Sequence, residues 1–536
     1  MRLPPPRLSL ICLVVSVCGQ WQFGYQITYV NTAVKTFYSS FNHFYRLDRN
    51  CTQCNLPDSS WNSYWSIAVA SFYPGAILGF SLVPFAVARI GVKWSLTVST
   101  LPALVGCLVG LFSRVQAYNG PQGKQDVMLY ELLVLSRLLC GVHAGAALAL
   151  LPLFTTECSP LKYQGFLAAF QEVAQAITDL LGFVVGSPQI VSTIYHYEVM
   201  QLVAFAPTAV LLLVLLLIKD SPVHYYVRRK DYEKGDDSLK YYHGADVNVE
   251  LVSLGIIRDN SECPGQQRSY NLRQLLMPST EEGKLVRKGL LIGTIAGASY
   301  AFTADDLIDS FSSLIFQDIQ GESAESAKLA ENVTVGLGAV LVLSALFGCL
   351  TVEKMGRRKV MVWGLFGTAL CNGLIPFCQF IPHVTTAVVF SIILFVLCKI
   401  FIGLGAGAPA WFLTSELVPA TARSMAQSIS TGMLLTMSGV VTAVFLQLQQ
   451  LIGQFSLLVL AGAPAAVCAL LLFLYLPETK HKHFSELKDE LFDRKRIRMS
   501  RSSSEESLLL SNRHGEDTGY GSTFESSWSS DAELMI

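Results

Sequence analysis

Apolar residues in this chain gather into runs of roughly 20, the length a helix needs to cross a bilayer. Polar residues gather between them. Six runs precede a polar block, at about 8–33, 62–88, 94–114, 128–156, 162–187 and 198–218. Six follow it, at about 287–316, 331–352, 359–381, 386–415, 422–446 and 454–477. The pattern predicts an all-α polytopic membrane protein with twelve transmembrane helices in two six-helix repeats. Its expected parts are an N-terminal bundle 1–218, a cytoplasmic linker with short helices 219–286, a C-terminal bundle 287–477 and a largely disordered cytoplasmic tail 478–536. The first run follows 1-MRLPPPR-7 and resembles a signal peptide at its start. It continues to spanning length, so it is read as a helix rather than a cleaved leader.

Composition agrees with a membrane protein. Of 536 residues, 51% are hydrophobic and 15% charged, against about 25% charged in a soluble domain. A net charge of -1 gives no footprint for nucleic acid. Thirteen cysteines lie mostly inside apolar runs, and Cys51 and Cys54 have zinc spacing without a second pair. Short loops after the second, fourth, eighth and tenth spans carry Arg89, Lys93, Lys162, Lys354, Arg357, Arg358, Lys359 and Arg423. By the positive-inside rule both termini are cytoplasmic. The first outer loop then offers Asn50 as a glycosylation acceptor in Asn50-Cys51-Thr52, while a second acceptor, Asn332, abuts a span.

The halves repeat each other. The fourth span reads 137-RLLCGVHAG-145 and the tenth 399-KIFIGLGAG-407, with the basic residue and both glycines in step. Each is followed by an acidic exit, Glu157 with Pro160 and Glu416 with Pro419. Parallel six-helix repeats are the layout of alternating-access carriers, with the ligand site between halves near the midplane. The paired glycines read as close helix packing rather than substrate contact.

The seventh span is unusual. In 297-GASYAFTADDLIDSFSSLIF-316 three aspartates, Asp305, Asp306 and Asp309, interrupt an apolar segment. In the fifth span Glu172, Gln175 and Asp179 share one helix face. Carboxylates are costly in a membrane and call for partners, water or a function. The only basic residues well inside spans are Arg137 and Lys399, so several acids are expected to lack a fixed partner. Three readings stand open: protonated or paired structural groups, a site for a cationic solute or metal ion, and a site for a coupled proton. The tail carries Glu505, Leu509 and Leu510 in an acidic dileucine pattern, the kind read by endocytic or endolysosomal sorting adaptors.

Four motifs in order resemble the sugar porters of the major facilitator superfamily, close to the facilitative glucose and fructose transporters. They are 22-QFGYQITYVN-31, 353-EKMGRRKV-360, 411-WFLTSELVPATAR-423 and 476-LPETKHKHF-484, and the likeness covers about 8–490. The resemblance implies the major facilitator fold and alternating access. It implies a sugar-like solute, a monosaccharide or polyol, carried across a plasma or endolysosomal membrane. It also implies substrate contacts at Gln22, Glu172, Gln175, Asp179, Asp305, Asp306 and Trp411. The charged exits imply a cytoplasmic latch of Arg137, Glu157, Glu353, Arg357, Arg358, Glu416 and Arg423. The chain departs from the family where sugar is held: Glu172 replaces a glutamine, 300-YAFTADD-306 replaces QQLSGxN, and Leu341 and Ser438 replace asparagines. Neutral hydroxyls want amides that donate and accept, so a cationic or proton-coupled solute is the alternative. A receptor or sensor that keeps the fold without flux is the other. Val92, Lys93 and Gln164 stand where arginines are usual, so the latch is expected to be charged mainly in the C-terminal half. No phosphate loop, nucleophile elbow or metal-ligand cluster points to an enzyme, a cofactor or a resident metal.

Overall fold

The computed structural model describes residues 4–33, 37–39, 41–42, 45–46, 58–118, 124–128, 130–187, 196–244, 247–261, 270, 272–320, 324–480, 482, 484 and 486–487. Met1–Leu487 packs as one compact unit. Asn50, Cys51, Cys54 and Cys263, and the tail residues Glu505, Leu509 and Leu510, lie outside the described residues.

The twelve expected helices are present close to their predicted bounds. The first spans Pro6–Thr32, the fourth Tyr130–Cys158, the fifth Leu161–Gly186 and the sixth Tyr197–Leu217. After the linker come Asn332–Met355, Arg357–Phe380, Val384–Glu416, Ala420–Phe445 and Phe455–Tyr475 as the eighth to twelfth. The second and third run through one segment, Ile67–Phe112, divided at Gly91. The seventh is broken into two pieces. It forms Glu281–Ala301 and then Asp305–Gln320. A short antiparallel hairpin, Arg114–Tyr118 with Lys124–Met128, joins the third and fourth spans, an addition the helical pattern did not foretell. In the linker Tyr232–His243 and Val249–Ser261 are helical, and Asp231 caps the former by accepting from Lys234 N.

The repeat shows in backbone detail. Gly91 (φ 84°) and Gly356 (φ 90°) turn the chain between paired spans in a region that favours glycine. Two residues later, Lys93 Nζ donates to Ile218 O at 2.7 Å and Arg358 Nη2 to Phe473 O at 2.6 Å. Each cation thus ties the end of its half's last span to the turn.

The seventh helix breaks between Ala301 and Asp305. Ala304 has φ 67°, a strained value for a residue with a Cβ. Asn372 Nδ2 donates to Thr303 O at 2.9 Å, satisfying a carbonyl freed by the break. Asp305 and Asp306 then fall in the first turn of the new helix, where the dipole favours negative charge.

Candidate functional site

Glu172, Gln175 and Asp179 do share a face of the fifth span, and it looks across at the seventh and tenth. Asp305 Oδ1 accepts from Lys399 Nζ at 2.6 Å and Asp309 Oδ1 from the same ammonium at 2.5 Å. The other Asp305 oxygen accepts from Tyr300 Oη at 2.6 Å. Asp179 is held by Gln175 Nε2, 3.0 Å from both carboxylate oxygens, and Gln175 Oε1 accepts from Gln20 Nε2 at 2.9 Å. Carboxylate oxygens of Asp179, Asp305 and Asp309 lie within 4.8 Å of one another. They are gathered as they would be around a cation, and Lys399 supplies that cation for two of them.

The remaining acids are also anchored. Glu172 Oε2 accepts from Trp411 Nε1 at 2.6 Å, across the interface between the fifth and tenth spans. Asp306 accepts from the Ser438 hydroxyl. The expectation that several acids lack a fixed partner is therefore corrected: each of the five has one. The missed residues are Lys399, Tyr300, Gln20 and Ser438. Lys399 stands out in the sequence as one of two basic residues well inside spans, but its partners are 90 and 94 positions away and the sequence does not name them. Glu172 and Asp306 take separate partners rather than each other.

Trp411 packs at 4.8 Å between ring centroids on Tyr300 and at 6.4 Å, edge-on, on Phe23 of the first span. Gly407 lies against its partner: a Cβ there would collide with Glu172 Oε1. The glycine pairs thus divide. Gly141, Gly145 and Gly403 pack against neighbouring helices, whereas Gly407 makes room for the Glu172 carboxylate. That oxygen is buried without a hydrogen-bond partner among the described residues. Gln22 points elsewhere. Its amide donates to Ala204 O and Thr208 Oγ1, both at 2.8 Å, in the packing of first and sixth spans.

On the linker side, Arg357 Nη2 lies 3.4 Å from Glu353 Oε1 and 3.6 Å from Glu416 Oε1, all buried. Phe166 N, at the start of the fifth span, donates to Glu353 Oε1 at 2.8 Å. Glu478 accepts from the backbone N–H of Arg357 and Arg358, and Thr479 Oγ1 donates to Glu416 Oε2 at 2.6 Å. In the other half Glu157 is served by Arg228 at 3.7 Å and by Ser221 Oγ at 2.5 Å. The expected imbalance is thus reduced, because the segment after the sixth span supplies the missing cation. Gln164 donates to Thr156 O, and Arg423 lines a cavity of about 290 Å³ with Glu157, Gln164 and Glu416. Arg137 is not at this junction. Its guanidinium donates to Gln26 O and Oε1 at 3.1 and 3.2 Å, inside the fourth span's packing.

The two halves touch on both sides of the acids. Phe166 meets Glu353 on the linker side, and Asn31 Nδ2 donates to Asp309 O at 2.6 Å nearer the opposite end. Glu172, Asp179, Asp305, Asp306, Asp309 and Lys399 are all buried. A buried polar centre between two bundles, with contacts between them on either side, is what alternating access requires of an intermediate.

A family model described as "Sugar (and other) transporter" matches residues 11–491. The chain belongs to the sugar transporter family. It is 26% identical over 496 residues to the mouse protein named solute carrier family 2, facilitated glucose transporter member 4, covering 90% of this chain and 91% of that one. It is 23% identical over 499 residues to the human member 7, covering 92% of each. Among solved structures, a proton:xylose symporter, XylE, bound to 6-bromo-6-deoxy-D-glucose superposes with a TM-score of 0.72 at 19% identity, over 90% of this chain and 99% of that one. XylE from E. coli in a partially occluded inward-open conformation gives 0.65, over 88% and 99%. The family member described here is a multi-pass membrane transporter with the major facilitator fold, working by alternating access, and not an enzyme.

Proposed function

We propose that this transporter carries a small polar solute of the sugar or polyol class, through a site in which carboxyl groups replace the usual amides. The observation carrying this reading is the Glu172–Trp411 hydrogen bond at 2.6 Å. It joins the two halves at the buried centre, beside Glu172 Oε1, an acceptor without a hydrogen-bond partner among the described residues. A solute hydroxyl or ammonium supplies the donor that this oxygen lacks. Glu172, Gln175, Asp179 and Trp411 form the wall on which we place the solute, and the names of the glucose-transporting relatives support its class. The reconstituted protein should exchange at least one labelled neutral sugar, polyol or amino sugar across proteoliposomes. Saturable binding without exchange for every compound would assign the fold to a receptor instead.

A second reading is favoured by a count of charges. Glu172, Asp179, Asp305, Asp306 and Asp309 face one buried lysine. Leaving buried charge uncompensated costs several kcal/mol per ion. Closing the halves over this cluster therefore favours the uptake of a proton or a cationic solute. Under an imposed pH gradient the solute should accumulate rather than merely equilibrate, and Asp179→Asn should equilibrate only. Equilibration alone by the unaltered protein would dismiss the coupled reading. We place the transporter in the plasma or endolysosomal membrane, on the acidic dileucine of the tail.

A further inference from the structure

The ninth and twelfth spans leave a groove of about 920 Å³ between them on the outside of the bundle. Its walls are Trp363, Phe366, Leu470 and Phe473, each more than half exposed. Its floor is lowered by Ala466 and Ala469, small residues facing large ones. One end is of different chemistry. There Arg358, Lys359 and Lys480 converge from the start of the ninth span and the segment after the twelfth. One carboxylate, Glu478, shares that end, but it is already accepting from the backbone N–H of Arg357 and Arg358. Lys359 is exposed and has no hydrogen-bond or ion-pair partner among the described residues.

From this we infer a binding site for an anionic phospholipid of the cytoplasmic leaflet. An acyl chain fills the apolar groove, and the headgroup phosphate and carboxylate rest on Arg358, Lys359 and Lys480. Charge and polarity choose the occupant. The groove is apolar along its length, faces the bilayer and ends in cations on the side that the distribution of basic residues makes cytoplasmic. Basic pockets between spans at that level suit acidic headgroups. The repeat supplies an internal control. At the corresponding turn of the N-terminal half, Trp94 stands where Lys359 does. Lys93, the counterpart of Arg358, makes the same clip to the end of its half's last span but is buried, whereas Arg358 is half-buried. The duplicated architecture therefore carries the cationic end in one half only, so it is not a general consequence of the fold. Binding there would also reach the latch, because Glu478 holds the first turn of the helix whose Arg357 pairs with Glu353 and Glu416.

The test uses the full-length protein, delipidated in detergent and offered phosphatidylserine or phosphatidylcholine, with retained lipid counted by native mass spectrometry. Phosphatidylserine should be retained at least about tenfold better. Lys359→Gln with Lys480→Gln should remove most of that preference while leaving the melting temperature in phosphatidylcholine unchanged. Ala469→Phe, which fills the groove without touching a charge, should reduce retention of both lipids. Equal retention of the two lipids, or an undiminished preference in the double variant, would overturn the site. So would full displacement of the lipid by inorganic phosphate at matched ionic strength, since that would make the cations a free-anion site with no role for the groove. Should the double variant fold poorly, Lys359→Gln alone must still lower the preference.

Discussion

Lys399 decides how the acidic centre is read at the scale of single residues. Two carboxylates share its ammonium at 2.5 and 2.6 Å, fully out of water. Removing one member of such a group strands the others, at a cost of about 3–5 kcal/mol. Lys399→Met should therefore lower the melting temperature in detergent sharply, and Asp305→Asn in the same chain should restore part of it. A single variant that melts like the parent would mean that the acids are neutral there without help. Gly407→Ala tests the other anchor. Its new methyl would collide with Glu172 Oε1, so transport should fall at least tenfold while expression persists, and Glu172→Ala should relieve the clash without restoring transport. The sequence made the acids conspicuous, because an aspartate in an apolar run stands out locally. Their distant partners were not legible. Gln175 beside Asp179 and Tyr300 beside Asp305 are local, but Lys399, Trp411 and Ser438 lie in other helices about 90 to 240 positions away, and one chain contains no record of which distant positions meet.

Among the helices, the spans were readable almost to their ends, since hydrophobic length is a local property. From its own residues the seventh was readable as a span but not as two helices, because the strained Ala304 is an alanine and no glycine or proline announces the turn. The latch was half readable. Glu353, Arg357 and Glu416 stand in recognisable motifs, whereas Arg228 lies in a polar segment among other charges, where nothing local marks it as the partner of Glu157. The buried triad should bias the helices that carry it toward closure on the linker side. Arg357→Ala is expected to reach the membrane normally and to shift cysteine accessibility toward the open-inward pattern. An unaltered pattern would show that Phe166 and Glu353 hold the closure without it. Gln164→Ala, which removes no charge, should leave that pattern in place.

For the molecule as a whole, topology makes a prediction that needs no transport assay. Asn50 should carry the glycan and Asn332 should not, because Asn332 sits within the helix Ala324–Met355 rather than in a loop. An Asn50→Gln chain that still shifts on glycosidase treatment would reverse that assignment. The clips from Lys93 to Ile218 and from Arg358 to Phe473 have a wider meaning. Each fastens the last helix of a half to that half's own turn, so neither half borrows its closure from the other. A gene encoding one such self-fastened unit could be doubled without redesign, and the doubled product can be cut again. Two polypeptides separated between residues 261 and 270 should find each other in the membrane and copurify as a working pair.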